Sequence, residues 1–157
     1  MLNRCESAKE RWGGVNAIID RWLKERQDLI VRYCDLVSRG NFESVEDALK
    51  HFRVFCQVLV DYVSAGHFEV YEQLIEEALE YNDGGVELAR KIYPRIQATT
   101  ESALDFNDRF DKTPEELEEL NVLLPRLAEL GEKLEERFIL EDTLIEKLHN
   151  VHASQLA

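Results

Sequence analysis

The sequence predicts an all-α protein: an antiparallel four-helix bundle with long, partly kinked helices and short loops. Three observations carry that expectation. Apolar residues recur at spacings of three and four through most of the chain, the repeat of a helix with one buried face. Arg39-Gly40-Asn41, Asn82-Asp83-Gly84-Gly85 and Thr113-Pro114 divide the chain into four long stretches. No stretch alternates polar and apolar residues as a half-buried strand does. Long helices joined by short connections run antiparallel to their neighbours.

The elements follow in order. Residues 2–11 form a short helical piece, and Trp12-Gly13-Gly14 reads as a hinge, because paired glycines weaken a helix. From Val15 the first long helix carries Ile18, Ile19, Trp22, Leu29, Tyr33, Leu36 and Val37 inward and ends at Gly40. Ser44 with Asp47 resembles a capping box and starts the second helix, which runs to about Glu80 with a bend near Gly66. The third helix buries Leu88, Ile92, Ile96, Ala103, Phe106 and Phe110, and Pro94 implies a kink or a late start. Thr113-Pro114-Glu115-Glu116 starts the fourth with a cap, a first-position proline and acids at the positive end of the dipole. That helix runs to about His152 with Leu120, Leu127, Leu130, Leu134, Phe138, Ile145 and Leu148 inward, and Pro125 and Gly131 are places where it can bend.

The second helix has two unlike faces. Phe52, Cys56, Leu59, Val63, Val70 and Leu74 make a core stripe. Opposite them run Gln57, Asp61, Ser64, Phe68 and Glu72, a polar stripe holding a large aromatic. An exposed Phe ringed by polar groups has the composition of an interface anchor. The alternative is that Gly66 breaks the helix and turns Phe68 into a second core; periodicity leaves both open.

At 157 residues, 45% apolar and 32% charged, the chain reads as one soluble globular domain, residues 1–157. It lacks both the run of roughly 20 apolar residues that a membrane span needs and a signal peptide, so the expected location is the cytoplasm. Cys5, Cys34 and Cys56 show no paired spacing; Cys34 and Cys56 fall in helical patterns where a buried thiol is the default.

The net charge of −13 is uneven. Residues 1–40 hold eight Lys/Arg against six Asp/Glu, residues 41–111 hold six against fifteen, and residues 112–157 hold five against eleven. Direct nucleic-acid binding is disfavoured, because its affinity comes from cations neutralising phosphates. A basic protein partner is favoured, since an acidic field speeds its association.

Catalytic and metal signatures are weak. A carboxylate-bridged metal pair needs two Glu-x-x-His motifs, and only Glu146-Lys147-Leu148-His149 fits. Glu141, Glu146, His149 and His152 remain a minor metal alternative. Glu141 falls on the inward spacing, and the plainer reading is a carboxylate satisfied by Arg or Tyr of a facing helix. Ser64 and His67 lack a nucleophile elbow, and no phosphate-cradling glycine loop is present. The sequence therefore points to no enzyme and no cofactor.

Arg11-Trp12-Gly13-Gly14, Ile19-Asp20-Arg21-Trp22-Leu23 and the whole run from Leu59 to Glu72 resemble the Rsd/AlgQ family of anti-sigma factors, regulators of sigma D type. Lys91-Ile92-Tyr93-Pro94-Arg95-Ile96 and Glu136-Arg137-Phe138-Ile139-Leu140-Glu141-Asp142 match as well. Gly13-Gly14, the run from Phe68 to Glu72 and Leu148-His149-Asn150-Val151-His152 are closer to the pseudomonad AlgQ branch than to the enteric one. Departures concentrate at residues 39–50 and 111–124.

The resemblance implies a helical bundle that binds the primary sigma factor, chiefly its basic helix-turn-helix region 4, one-to-one and without catalysis. Contacts with core RNA polymerase and −35 promoter DNA would be blocked, favouring alternative sigma factors. On this reading Phe68 fills an apolar pocket on sigma and Asp61 pairs with a cation. Gln57, Ser64, Glu69 and Glu72 form the polar surround, and His67 either crosses the interface or caps the bend at Gly66. The rival from another class is a homo-oligomeric scaffold in which the Phe68 stripe meets its own copy.

Overall fold

The computed structural model describes the backbone of residues 2–39, 42, 44–111 and 117–150, with side chains from 16 to 38, 42, 44–110 and 122–149. Helix α1 spans Leu2–Arg39 and α2 spans Val45–Ala65. A π-helical turn, Gly66–Val70, joins α2 to α3, Tyr71–Tyr81, so that three pieces form one long rod. Helices α4, Gly85–Asp111, and α5, Leu117–Ile145, complete four rods, and α5 closes with a second π-helical turn, Glu146–Asn150. Among the described residues there is no strand.

Local chemistry explains most boundaries. Ser44 is extended (φ −154°, ψ 164°) and its hydroxyl accepts from the Asp47 N–H at 3.1 Å, so the expected cap is present. Glu46 and Asp47 occupy the positive end of the α2 dipole. Asn82 takes the left-handed conformation (φ 47°), and its N–H bonds the Ala78 carbonyl at 3.0 Å. Gly84 follows at φ 94°, a geometry that disfavours side chains. The expected turn is therefore real, although Gly85 already belongs to α4.

Contacts between rods establish the direction of each. Trp22 stacks on Tyr62 while Tyr33 meets Phe55, so α1 and α2 run antiparallel. Phe52 meets Phe110 and Phe55 meets Phe106, which sets α2 against α4 in the same sense. Arg26 reaches Asp142 while Tyr33 reaches Leu127, which makes α1 and α5 antiparallel. The bundle is thus up-down-up-down, as the loop lengths required.

The core contains the apolar stripes read from the sequence: Phe52, Leu59, Leu74, Ile96, Leu127 and Leu148 are all at most 1% exposed. Several expectations need correction. Trp12-Gly13-Gly14 is no hinge, because helix continues through it from Leu2 to Arg39. Val37 is 52% exposed, and Cys34 is exposed rather than buried; Cys56 alone of that pair lies in the core. Pro94 causes no late start, since α4 begins nine residues earlier at Gly85. Helix α5 runs unbroken past Pro125 and Gly131. The Thr113-Pro114 start, Gly40, the Cys5 and Leu120 side chains and His152 lie outside the described residues.

Candidate partner-binding surface

The site is built around the π-helical turn. The Gly66 N–H reaches the carbonyls of Tyr62 and Val63, and the Tyr71 N–H reaches back to Gly66, a five-residue step. The Tyr62 carbonyl also accepts from the Trp22 indole N–H at 3.1 Å, so α1 supports the widened turn from beneath. Gly66 is required by close approach: a Cβ there would lie 3.0 Å from Trp22 Cζ2 and 3.2 Å from Tyr71 Oη. Both rings are buried and hydrogen-bonded, so neither can retreat cheaply. Gly66→Ala is expected to cost about 1–3 kcal/mol through overpacking, read as a lower midpoint in urea melts.

The turn places Val70 and Tyr71 inward and His67, Phe68 and Glu69 outward. Phe68 is 67% exposed, which removes the second-core alternative. The rod keeps its core stripe through Gly66, with Val63 and Val70 both buried. Toward α1, Phe68 borders an open groove of about 410 Å³ shared by Arg21, Glu25, Asp61, Ser64 and Glu69. Toward α4, the His67 ring packs on Phe68, stacks with Tyr93 and hydrogen-bonds the Tyr93 hydroxyl through Nδ1 at 2.9 Å. His67 therefore neither caps the bend nor stands free; it ties the turn to α4.

The groove is acidic. Partial burial, then Glu69 and Asp61, raise the Glu25 carboxyl above the usual carboxylate range, with Arg21 opposing. Asp61, Ser64, Phe68 and Glu69 are brought together as the sequence suggested. Gln57 and Glu72 are exposed on the same rod but do not line the groove. Arg21 and Glu25 were missed, because only the pairing register of α1 against α2 brings them there.

Under the turn lies a buried ionic network. Glu141, fully buried on α5, accepts from the Tyr62 hydroxyl at 2.5 Å and from the Tyr71 hydroxyl. Arg137 Nε donates to it at 3.2 Å, and Arg26 lies 3.5 Å away. Arg137 also donates to Thr100 at 2.6 Å, Thr99 at 3.3 Å and Tyr71 at 2.9 Å. Burial raises the Glu141 carboxyl, while Arg137, the two hydroxyls and Arg26 pull it back. Burial and Glu141 push both tyrosines up, so they remain protonated donors. Tyr62, Tyr71 and Arg26 of facing rods meet the expectation for Glu141, and Arg137, one turn earlier on its own helix, adds an ion pair that the expectation did not include.

Two of the four residues in the metal alternative are committed to other partners. Glu141 is committed to this network, and His149 is buried with Nδ1 donating to the Glu77 carboxylate at 3.1 Å and Nε2 against the Asn16 amide. Among the described residues, no three His, Cys, Asp or Glu side chains are placed to hold a metal ion. Among them too, no helix is long and apolar enough to cross a membrane.

Residues 1–149 match the family model described as regulator of RNA polymerase sigma(70) subunit, Rsd/AlgQ. The chain belongs to the Rsd/AlgQ family. A regulator of sigma D from an Enterobacter strain is 41% identical over 150 residues, covering 92% of this chain and 88% of that protein. One from Yersinia pseudotuberculosis is 36% identical over 160 residues, covering 100% and 95%. One from Yersinia enterocolitica is 35% identical over 150 residues, covering 93% and 89%. Membership spans nearly the whole bundle, including the exposed Phe68 turn and the network beneath it. The family is one of sigma-factor regulators rather than of enzymes.

Proposed function

We propose that this Rsd/AlgQ protein is an anti-sigma factor that holds the primary sigma factor one-to-one, chiefly through its C-terminal region 4. The complex keeps that region from core RNA polymerase and from −35 promoter DNA, leaving polymerase to alternative sigma factors. Family membership over residues 1–149 is the observation that carries this reading. The surface supports it physically. A domain that reads DNA carries cations for phosphate, and the groove beside Phe68 offers Glu25, Asp61 and Glu69 against a single Arg21.

In the complex Phe68 is the apolar anchor and Asp61 pairs with a sigma cation. Ser64, Glu69, Gln57 and Glu72 form the polar surround, and His67 fixes the turn that carries Phe68. The protein acts by occupying a surface, without chemistry or cofactor, in the cytoplasm where polymerase works. Free, it is a monomer; light scattering giving a dimer that Phe68→Ala dissociates would favour the self-associating scaffold instead.

The test is competition on promoter DNA. Added to primary sigma factor and core polymerase, the protein is expected to reduce holoenzyme formation and remove protection of the −35 element in proportion to the sigma it binds. An undiminished footprint in its presence, with the protein seated on intact holoenzyme, would reject blocking as the mechanism.

A further inference from the structure

We propose that the sigma-binding face continues past Phe68 into an apolar groove between α3 and α4, and that this groove seats the apolar side of a basic amphipathic helix of the same sigma domain. The proposal rests on the sigma-binding reading and adds to it a second anchoring point on a different pair of helices. Ile75 and Leu79 of α3 line a space of about 370 Å³ together with Val86, Ala89, Tyr93 and Pro94 of α4. Arg90 is the one charged residue among the described lining residues. Ile75, Val86 and Tyr93 are packed against the core from behind, so the groove is formed before any partner arrives. Leu79 is 62% exposed. A single exposed leucine is ordinary, but one beside an open apolar groove marks a place for another surface.

The groove is continuous with the Phe68 face. Tyr93 lines it and also stacks with the His67 ring, which packs in turn on Phe68. The His67–Tyr93 hydrogen bond at 2.9 Å and the edge-on contact of Tyr93 with the buried Tyr71 ring fix this link. Glu72, which does not line the groove beside Phe68, lies four residues after Phe68 and three before Ile75, on the helix face that connects the two places. Eleven residues separate Phe68 from Leu79, roughly 16 Å at the rise of a helix. A partner helix of about three turns laid along this rod reaches both.

Charge selects the occupant. Glu72 and Glu76 on α3 and Glu87 on α4 are exposed, each three residues before a residue of the groove lining, and Arg90 opposes them. An apolar floor with an acidic rim fits a helix whose apolar stripe is flanked by cations. A small domain that reads DNA supplies such helices, since it needs an apolar side for its own core and cations for phosphate. A second copy of this chain, at −13, would bring like charge to the same rim.

The experiment titrates full-length primary sigma factor into wild type, Leu79→Ala, Leu79→Lys and Ile139→Ala, with thermal melts and light scattering of each free protein beside it. Ile139 on α5 is also 62% exposed and lines neither this groove nor the one beside Phe68, so it controls for loss of surface apolar area. Leu79→Ala is expected to weaken binding about five- to thirtyfold with an unchanged melting temperature, and Leu79→Lys to weaken it further by setting a cation against a basic partner. Ile139→Ala should bind as wild type does. Wild-type binding that Leu79→Ala leaves untouched would overturn the groove and spare the sigma reading, as would a loss shared equally by Ile139→Ala or matched by a lowered melting temperature. A free dimer that Leu79→Ala turns into a monomer would give the groove to a second copy and overturn the proposal. No binding by the wild type would remove the sigma reading and the groove with it.

Discussion

Phe68→Ala is expected to weaken binding to the primary sigma factor by about 2–4 kcal/mol, roughly thirty- to several-hundred-fold, while the fold survives intact. The two halves of that expectation come from different facts. A large aromatic left 67% exposed contributes little to the folded state, so its truncation should change stability by about 0.5 kcal/mol or less. A large aromatic standing beside an acidic groove is the kind of residue that dominates an interface once a partner desolvates it. Calorimetric titration gives the first number and a urea melt the second. A variant that unfolds early while the remaining folded fraction binds normally would show that Phe68 supports the turn rather than the partner.

Glu141→Ala should have the largest effect on stability, about 3–5 kcal/mol, because it strands the buried Arg137 without its ion partner. Burial works against the Arg137 charge, and Glu141 is the first of the neighbours that sustain it. The two tyrosine hydroxyls would lose their acceptor in the same step. Removing the whole charge pair is a different matter. Glu141→Leu combined with Arg137→Met should recover much of the lost stability, since apolar groups of similar volume relieve the desolvation cost of both ions. Chemical denaturation of the two variants measures the contrast. Equal losses in the single and double variants would mean that shape, not charge, makes this network matter.

The network also matters for the surface above it. Tyr62 and Tyr71 enclose the π-helical turn, and both are held by Glu141. The double variant tests that link, because it can fold while leaving the hydroxyls without an acceptor. Its sigma affinity should fall even where its stability is restored.

The four rods were legible because a spacing of three and four needs no knowledge of tertiary partners. Glu141 was legible for the same reason: it sits on the inward spacing between Phe138 and Ile145, and a buried carboxylate implies donors nearby. The π-helical turn was not. A glycine inside a helical pattern is compatible with a bend, a break or a widened turn, and here the choice depends on Trp22, forty residues away, taking the Tyr62 carbonyl. Trp12-Gly13-Gly14 misled in the opposite sense: a glycine costs a helix only about 1 kcal/mol, which a long rod absorbs. Val37 and Cys34 failed because the inward stripe of α1 was drawn too wide. Whether Phe68 faced water was undecidable from its own helix, since the polar stripe and the glycine argued for opposite outcomes. Glu25 was invisible for a further reason: the register of α1 on α2 is set by the Trp22–Tyr62 stack, a contact between distant residues.

Binding of the primary sigma factor through the face around Phe68 is open to direct measurement. Calorimetric titration with the isolated region 4 domain of that sigma factor, at low and high salt, tests it most directly, with Asp61→Ala and Phe68→Ala beside the wild type. The expected result is one-to-one binding that weakens as salt rises and falls sharply in both variants while their melting curves stay cooperative. Absence of heat and of complex with the wild type, at protein concentrations where the fold is intact, would contradict it.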